Sequence, residues 1–182
     1  MSRATVRNVL LTGAPGCGKT TVICRLIELL GDLRLAGFYP QEVREHGQRV
    51  GFQAIGLLTR QSAVLAHVDY HSPHRVGRYG VDLGGFEAIL QVELAKPTGQ
   101  VDIFVIDEIG KMECLSRVFV GAVTSILDSQ VPVLATVAAK GGGFIAAVKG
   151  RPDIEIVTVT HVNRGDLPDV LVERVRSMPE RL

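Results

Sequence analysis

Gly13-Ala14-Pro15-Gly16-Cys17-Gly18-Lys19-Thr20 is the stretch that decides the fold. Its glycines, lysine and threonine fall on every fixed position of G-x-x-x-x-G-K-[ST]. Val9-Leu10-Leu11 before it predicts a buried strand. Residues 21–30 after it predict a helix with Val22, Leu26 and Leu29 on one face and Gly31 as its stop. Strand, glycine-rich turn and helix in that order is the context in which the pattern carries physical meaning.

A chain of phosphates needs many donors converging on a small volume. Glycines allow unusual dihedrals and remove the Cβ atoms that would hold phosphates off. The amides of Gly16, Gly18, Lys19 and Thr20 then form an anion nest, reinforced by the unpaired N–H groups at the helix start. Lys19 reaches the β- and γ-phosphates, and the Thr20 hydroxyl is placed to hold Mg²⁺. The expected phosphate-binding set is Gly13, Ala14, Pro15, Gly16, Cys17, Gly18, Lys19, Thr20 and Thr21.

The 182 residues fit one domain, 1–182, and 46% hydrophobic residues supply a core. A net charge of +1 and the absence of Trp give no case for a nucleic-acid or membrane surface. The longest strongly apolar stretch, 131–139, is too short for a bilayer, which needs about 20 residues. Cys17, Cys24 and Cys114 show neither C-x-x-C nor zinc-type spacing and suit a reducing compartment, so a cytoplasmic protein is expected. A monomer is expected as well.

Residues 31–83 break the strand–helix alternation. Alternating runs at 37–43 and 48–55 flank Glu45-His46-Gly47 and predict a β-hairpin. With short strands expected at 63–68 and 78–81, this region reads as an antiparallel insertion extending one sheet edge. Beyond it, helices are predicted over 86–96 (ended by Pro97 and Gly99), 112–127 and 167–177, the last capped by Asp166. Buried strands are predicted at 101–106, 131–136 and 154–159. The fold class is α/β, a mostly parallel sheet wrapped by helices.

The strand at 101–106 delivers Asp107-Glu108 at its carboxyl end, where open α/β sheets bind ligands. Asp107 suits Mg²⁺ together with Thr20, and Glu108 suits polarising a water in line with the γ-phosphate. Gly110 permits close backbone approach, and Lys111 is placed to face phosphates or to pair with Glu113.

The block Asp107-Glu108-Ile109-Gly110-Lys111-Met112-Glu113, taken with 13–20, Gly37-Phe38-Tyr39, Arg75-Val76-Gly77-Arg78-Tyr79 and Asn163-Arg164, resembles the cancer-related nucleoside-triphosphatase family. That resemblance covers nearly the whole chain. It implies a RecA-like, three-layer P-loop NTPase and Mg²⁺-dependent hydrolysis of several nucleoside triphosphates, with the counterpart of Glu108 as water activator.

Four further positions are candidates. Arg75 and Arg78 sit in a glycine-containing turn, and an arginine over the γ-phosphate would neutralise charge developing in phosphoryl transfer. Asn163 and Arg164 follow the last strand, where base or ribose contacts are expected. Thr136 ends a buried strand and can sense the γ-phosphate. No Asn-Lys-x-Asp reads guanine, so broad use of ATP, GTP and other nucleotides is expected. Slow turnover is expected too, because no obvious partner-supplied arginine is encoded. The alternatives are a small-molecule or nucleotide kinase, with the insertion binding the acceptor, and a nucleotide-dependent switch whose insertion meets a partner.

Overall fold

Among the residues described by the computed structural model, 7–95 and 100–177, nine strands form one sheet. They are β1 (Asn8–Thr12), β2 (Leu35–Glu45), β3 (Gln48–Gly56), β4 (Ser62–His67), β5 (Arg75–Val76), β6 (Tyr79–Val81), β7 (Ile103–Ile109), β8 (Val133–Val137) and β9 (Ile154–Thr158). The helices are α1 (Lys19–Leu29), α2 (Leu83–Glu93), α3 (Arg117–Leu127), α4 (Phe144–Lys149) and α5 (Leu167–Arg176). The sheet order is β5-β6-β4-β3-β2-β7-β8-β1-β9.

From β9 to β2 every pairing is parallel, and from β2 to β5 every pairing is antiparallel. β2 is the junction. Its first residues, 35–38, run parallel to β7, and from Phe38 onward it pairs with β3. The expected class, an α/β sheet extended by an antiparallel hairpin, is the one observed. The hairpin turn falls on His46 and Gly47, both at positive φ, as a tight two-residue loop requires. Gly37 lies close against β7: a Cβ there would sit 1.9 Å from the Val105 carbonyl oxygen.

Helices cover both faces of the parallel part. Phe38, Phe86 and Phe119 meet edge-on or tilted, with ring centroids 5.1–6.1 Å apart, and seal β2 to α2 and α3. On the opposite face Val22, Ile23 and Leu26 of α1 and Leu171 of α5 pack against Val9, Leu11 and Leu134. Leu29, expected on the buried face of α1, is only half-buried, while Ile23 and Leu30 are buried.

The helix expected over 112–127 is two pieces. A 3₁₀ turn, Glu113–Leu115, is followed by α3, because Ser116 is extended and its hydroxyl accepts the Phe119 amide at 3.0 Å, restarting the helix. Asp82 caps α2 by accepting the Gly85 amide at 3.0 Å, so the helix starts at Leu83, three residues before the predicted start. The stop predicted at Pro97 and Gly99 lies outside the described residues. Asp166 occupies the N-cap position of α5 but makes no side-chain cap bond. Among the described residues, no helix is long and apolar enough to cross a membrane.

Candidate active site

The turn after β1 is shaped by its neighbours. A Cβ on Gly13 would stand 2.6 Å from the Val159 carbonyl oxygen and 2.7 Å from Cys17 Sγ, so only glycine fits there. Gly16 and Gly18 take φ of 77° and 104°, where glycine alone is unstrained. Cys17 is buried, and its amide donates to the Ala14 carbonyl at 3.2 Å. α1 starts at Lys19, so the loop ends at a helix N-terminus as the pattern requires. Lys19 Nζ donates to Gly13 O at 3.4 Å, folding the ammonium across the loop.

β7 lies two places from β1, with β8 between them. Ile106 pairs with Ala135 and Ile109 with Val137, so Asp107 and Glu108 together oppose the single residue Thr136. This bulge re-aims the strand at its carboxyl end, beside the loop. The Thr136 hydroxyl, fully buried, donates to Asp107 Oδ1. Asp107 Oδ2 is buried with no hydrogen-bond partner.

Charge binds the two halves together. Burial pushes the Asp107 carboxyl above its ordinary range, while the Thr136 and Thr20 hydroxyls and the Lys19 charge pull it back. Glu108 is raised by burial, with Lys19 the largest opposing influence and Lys149 of α4 a weaker one. A third carboxylate joins them. Glu113 is buried, and a Cβ on Gly110 would lie 2.8 Å from its Oε2 and 3.5 Å from Glu108 Cγ. Burial, with a backbone bond opposing and the Glu108 and Asp107 charges adding, pushes Glu113 up to about 8.

A buried carboxylate oxygen without a partner, beside a threonine hydroxyl and a phosphate cup, has the chemistry of a hard-cation site with oxygen donors. Thr20 and Asp107 therefore fit Mg²⁺. The Thr12 hydroxyl at the end of β1 is also buried without a partner.

The remaining candidates divide. Arg164 reaches the loop: a Cβ on Gly18 would be 3.1 Å from its Cδ. Asn163 is committed to its own turn, its Oδ1 accepting the Thr160 amide at 2.8 Å and its Nδ2 donating to the Thr158 carbonyl at 2.9 Å. Gly110 packs between Glu108 and Glu113, and Lys111 is exposed. Of its two options, pairing with Glu113 does not form, because Glu113 is turned into the interior.

Arg75 and Arg78 are not brought to the loop. Six strands separate β5 from β1. Arg75 Nη2 donates to the Arg78 carbonyl at 2.7 Å, and Arg78 donates to the Arg49 carbonyl and lies 5.2 Å over the Tyr79 ring. The link from this corner to the acid turn is apolar, through Met112 against the cluster of Ala66, Tyr79 and Val81. Thr136, Glu113 and Lys149 thus matter more than the sequence pattern suggested. Glu113 closes the acid block that carries the family resemblance, but nothing local in the sequence says that its side chain turns inward, and α4 follows three glycines.

An amide-lined cup closing β1, and acids from a strand two places away, define a P-loop nucleotide-binding protein. The family model described as NTPase matches residues 8–172. Nucleoside-triphosphatase THEP1 of Natranaerobius thermophilus is 42% identical over 175 residues, covering 94% of this chain and 97% of that one. The crystal structure of THEP1 from the hyperthermophile Aquifex aeolicus superposes with a TM-score of 0.84 at 29% identity, covering 92% of this chain and 98% of that one. The solution structure of a human cancer-related nucleoside triphosphatase gives 0.79 at 35% identity, covering 96% and 100%. The chain belongs to this nucleoside-triphosphatase family, the one its motifs resemble.

Proposed function

We propose that this chain is an Mg²⁺-dependent nucleoside-triphosphate phosphohydrolase, converting NTP and water to NDP and phosphate. One observation carries the reading: the bulge that ends β7 sets Asp107 and Glu108 opposite Thr136 at the carboxyl end of the parallel strands, the same sheet end as the loop after β1, and leaves Asp107 Oδ2 buried without a partner.

The loop amides and Lys19 bind the β- and γ-phosphates. Thr20 and Asp107 would hold Mg²⁺, which would supply charge neutralisation for the phosphates. Thr136 fixes the Asp107 carboxylate by its hydroxyl bond. Glu108 orients a water opposite the β–γ bridging oxygen and takes its proton as the water oxygen bonds to the γ-phosphorus. The bond to the bridging oxygen breaks, and its electron pair stays on the diphosphate, where Lys19 and the loop amides stabilise it.

Two features support broad specificity and slow turnover. Asn163, a candidate for base contact, has its side chain bonded to the backbone of its own loop. Arg75 is engaged on the Arg78 carbonyl and Arg78 on Tyr79 and the Arg49 carbonyl, which supports slow turnover without a charge-neutralising arginine from this turn.

The test is phosphate release from ATP, GTP, CTP and UTP without acceptor, with Mg²⁺ and with excess chelator. All four are expected to be hydrolysed with Mg²⁺ and none without it. Phosphoryl loss only after a metabolite is added would instead make the protein a kinase.

A further inference from the structure

We propose that Arg164 is a stacking platform for the nucleobase, which is held by its face rather than by its edge; the proposal rests on the nucleoside-triphosphatase reading above. The sheet order gives the direction. β7, carrying Asp107 and Glu108, lies on one side of β1, and β9 lies on the other. The acids mark the end of the cup where the γ-phosphate sits. The nucleoside therefore leaves on the β9 side, where the turn connecting β9 to α5 rises beside the loop.

Arg164 stands at that exit. Its side chain runs along Gly18, with Cδ 3.1 Å and Nη1 3.5 Å from where a Cβ would be. Its backbone amide is bonded to Thr160 O at 3.1 Å, which fixes the stem of the residue. The guanidinium itself has no hydrogen-bond or ion-pair partner among the described residues and is exposed. Among the described residues other exposed arginines divide: Arg34 pairs with Asp102, Arg44 and Arg49 with Glu42 and Arg176 with Asp32, while Arg60 and Arg117 have no carboxylate partner, so what sets Arg164 apart is its place along the phosphate loop. A planar cation held against a phosphate loop and left unpaired is suited to stack on an aromatic ring.

The same turn carries Val162, 91% exposed and the most exposed large apolar side chain among the described residues. Asn163 between them is half-buried, its side chain bonded back to Thr158 and Thr160. The turn thus offers an apolar surface and a flat cation to the solvent side and withholds its amide. Every base has a π-face, so such a platform accepts all of them.

Arg164→Ala and Arg164→Lys separate this from a phosphate contact. Binding of ADP, GDP, CDP and UDP, and of inorganic tripolyphosphate, is measured by calorimetry with Mg²⁺. The platform predicts that both variants lose roughly tenfold in affinity for all four nucleotides, with tripolyphosphate affinity unchanged. Equal losses for tripolyphosphate and nucleotides would make Arg164 a phosphate ligand and overturn the proposal. So would a Lys variant that binds nucleotides like wild type, since charge without a plane would then suffice, or a loss confined to one base. Wild-type protein that binds tripolyphosphate but gains nothing from a base overturns the platform alone. Protein that binds neither overturns the nucleotide reading and the platform with it.

Discussion

Thr136 donates its hydroxyl to Asp107 Oδ1, and the other oxygen of that carboxylate is buried with no partner. One strand terminus thus holds the acid and leaves its other oxygen free, the oxygen the proposed cation would take.

Removing the clamp should therefore loosen the metal without abolishing the site. Thr136→Val keeps the volume and drops the hydroxyl. By the usual effect of losing a partner that orients a metal ligand, Mg²⁺ affinity should fall about 10–100-fold. The Mg²⁺ concentration giving half-maximal phosphate release checks this, and an unchanged value would contradict the clamp.

Gly13→Ala tests the cup itself. The new methyl meets a backbone oxygen, Val159 O, at 2.6 Å, and backbone cannot swing aside as a long side chain can. A stability loss of about 1–3 kcal/mol is expected from such overpacking, with weakened nucleotide binding. Urea unfolding and fluorescent-nucleotide titration read the two effects.

Glu93 fastens the insertion to the parallel part. Its carboxylate accepts from the amides of Gly37, Leu58 and Thr59 and from the Thr59 hydroxyl, at 2.8–3.3 Å. Glu93→Ala strands those donors under α2 and should cost roughly 2–5 kcal/mol. Glu93→Gln, keeping one acceptor oxygen, should cost less, and chemical denaturation of both variants ranks them.

Glu113 gives a pH signature. Its carboxyl is raised from 4.5 to about 8 in the folded chain, so the folded state holds the proton that the unfolded state releases. Its neutral form is tolerated at low pH without penalty. As pH rises from 4.5 to about 8 the unfolded state ionises first, and stability falls by up to about 1.4 kcal/mol per pH unit. Glu113→Gln cannot ionise. Its melting temperature relative to wild type should therefore climb across that window, measured without metal or nucleotide, and a flat difference would contradict it.

The cup and the acid pair were legible because their chemistry is local. The phosphate loop needs glycines at fixed spacing, and the acids follow an unbroken apolar strand. The hairpin at His46-Gly47 was legible for the same reason. What the sequence hid depends on distant packing. The break before α3 is made by Ser116, whose cap bond and 2.6 Å hydroxyl bond to Glu87 stop a helix that periodicity alone would continue. Glu93 lies in an apolar helix stripe and reads as a solvated edge until the amides of Gly37, Leu58 and Thr59 converge on it. The turn at Arg75 and Arg78 suggested a phosphate contact, yet the sheet order puts six strands between it and β1.

The most direct test of the central claim is single-turnover phosphate release from Mg²⁺–ATP by wild type and Glu108→Gln, with nucleotide binding measured alongside. If Glu108 activates the attacking water, release should fall about 100-fold or more while nucleotide affinity holds. Release at the wild-type rate from the Gln variant would mean that the water is activated by some other group.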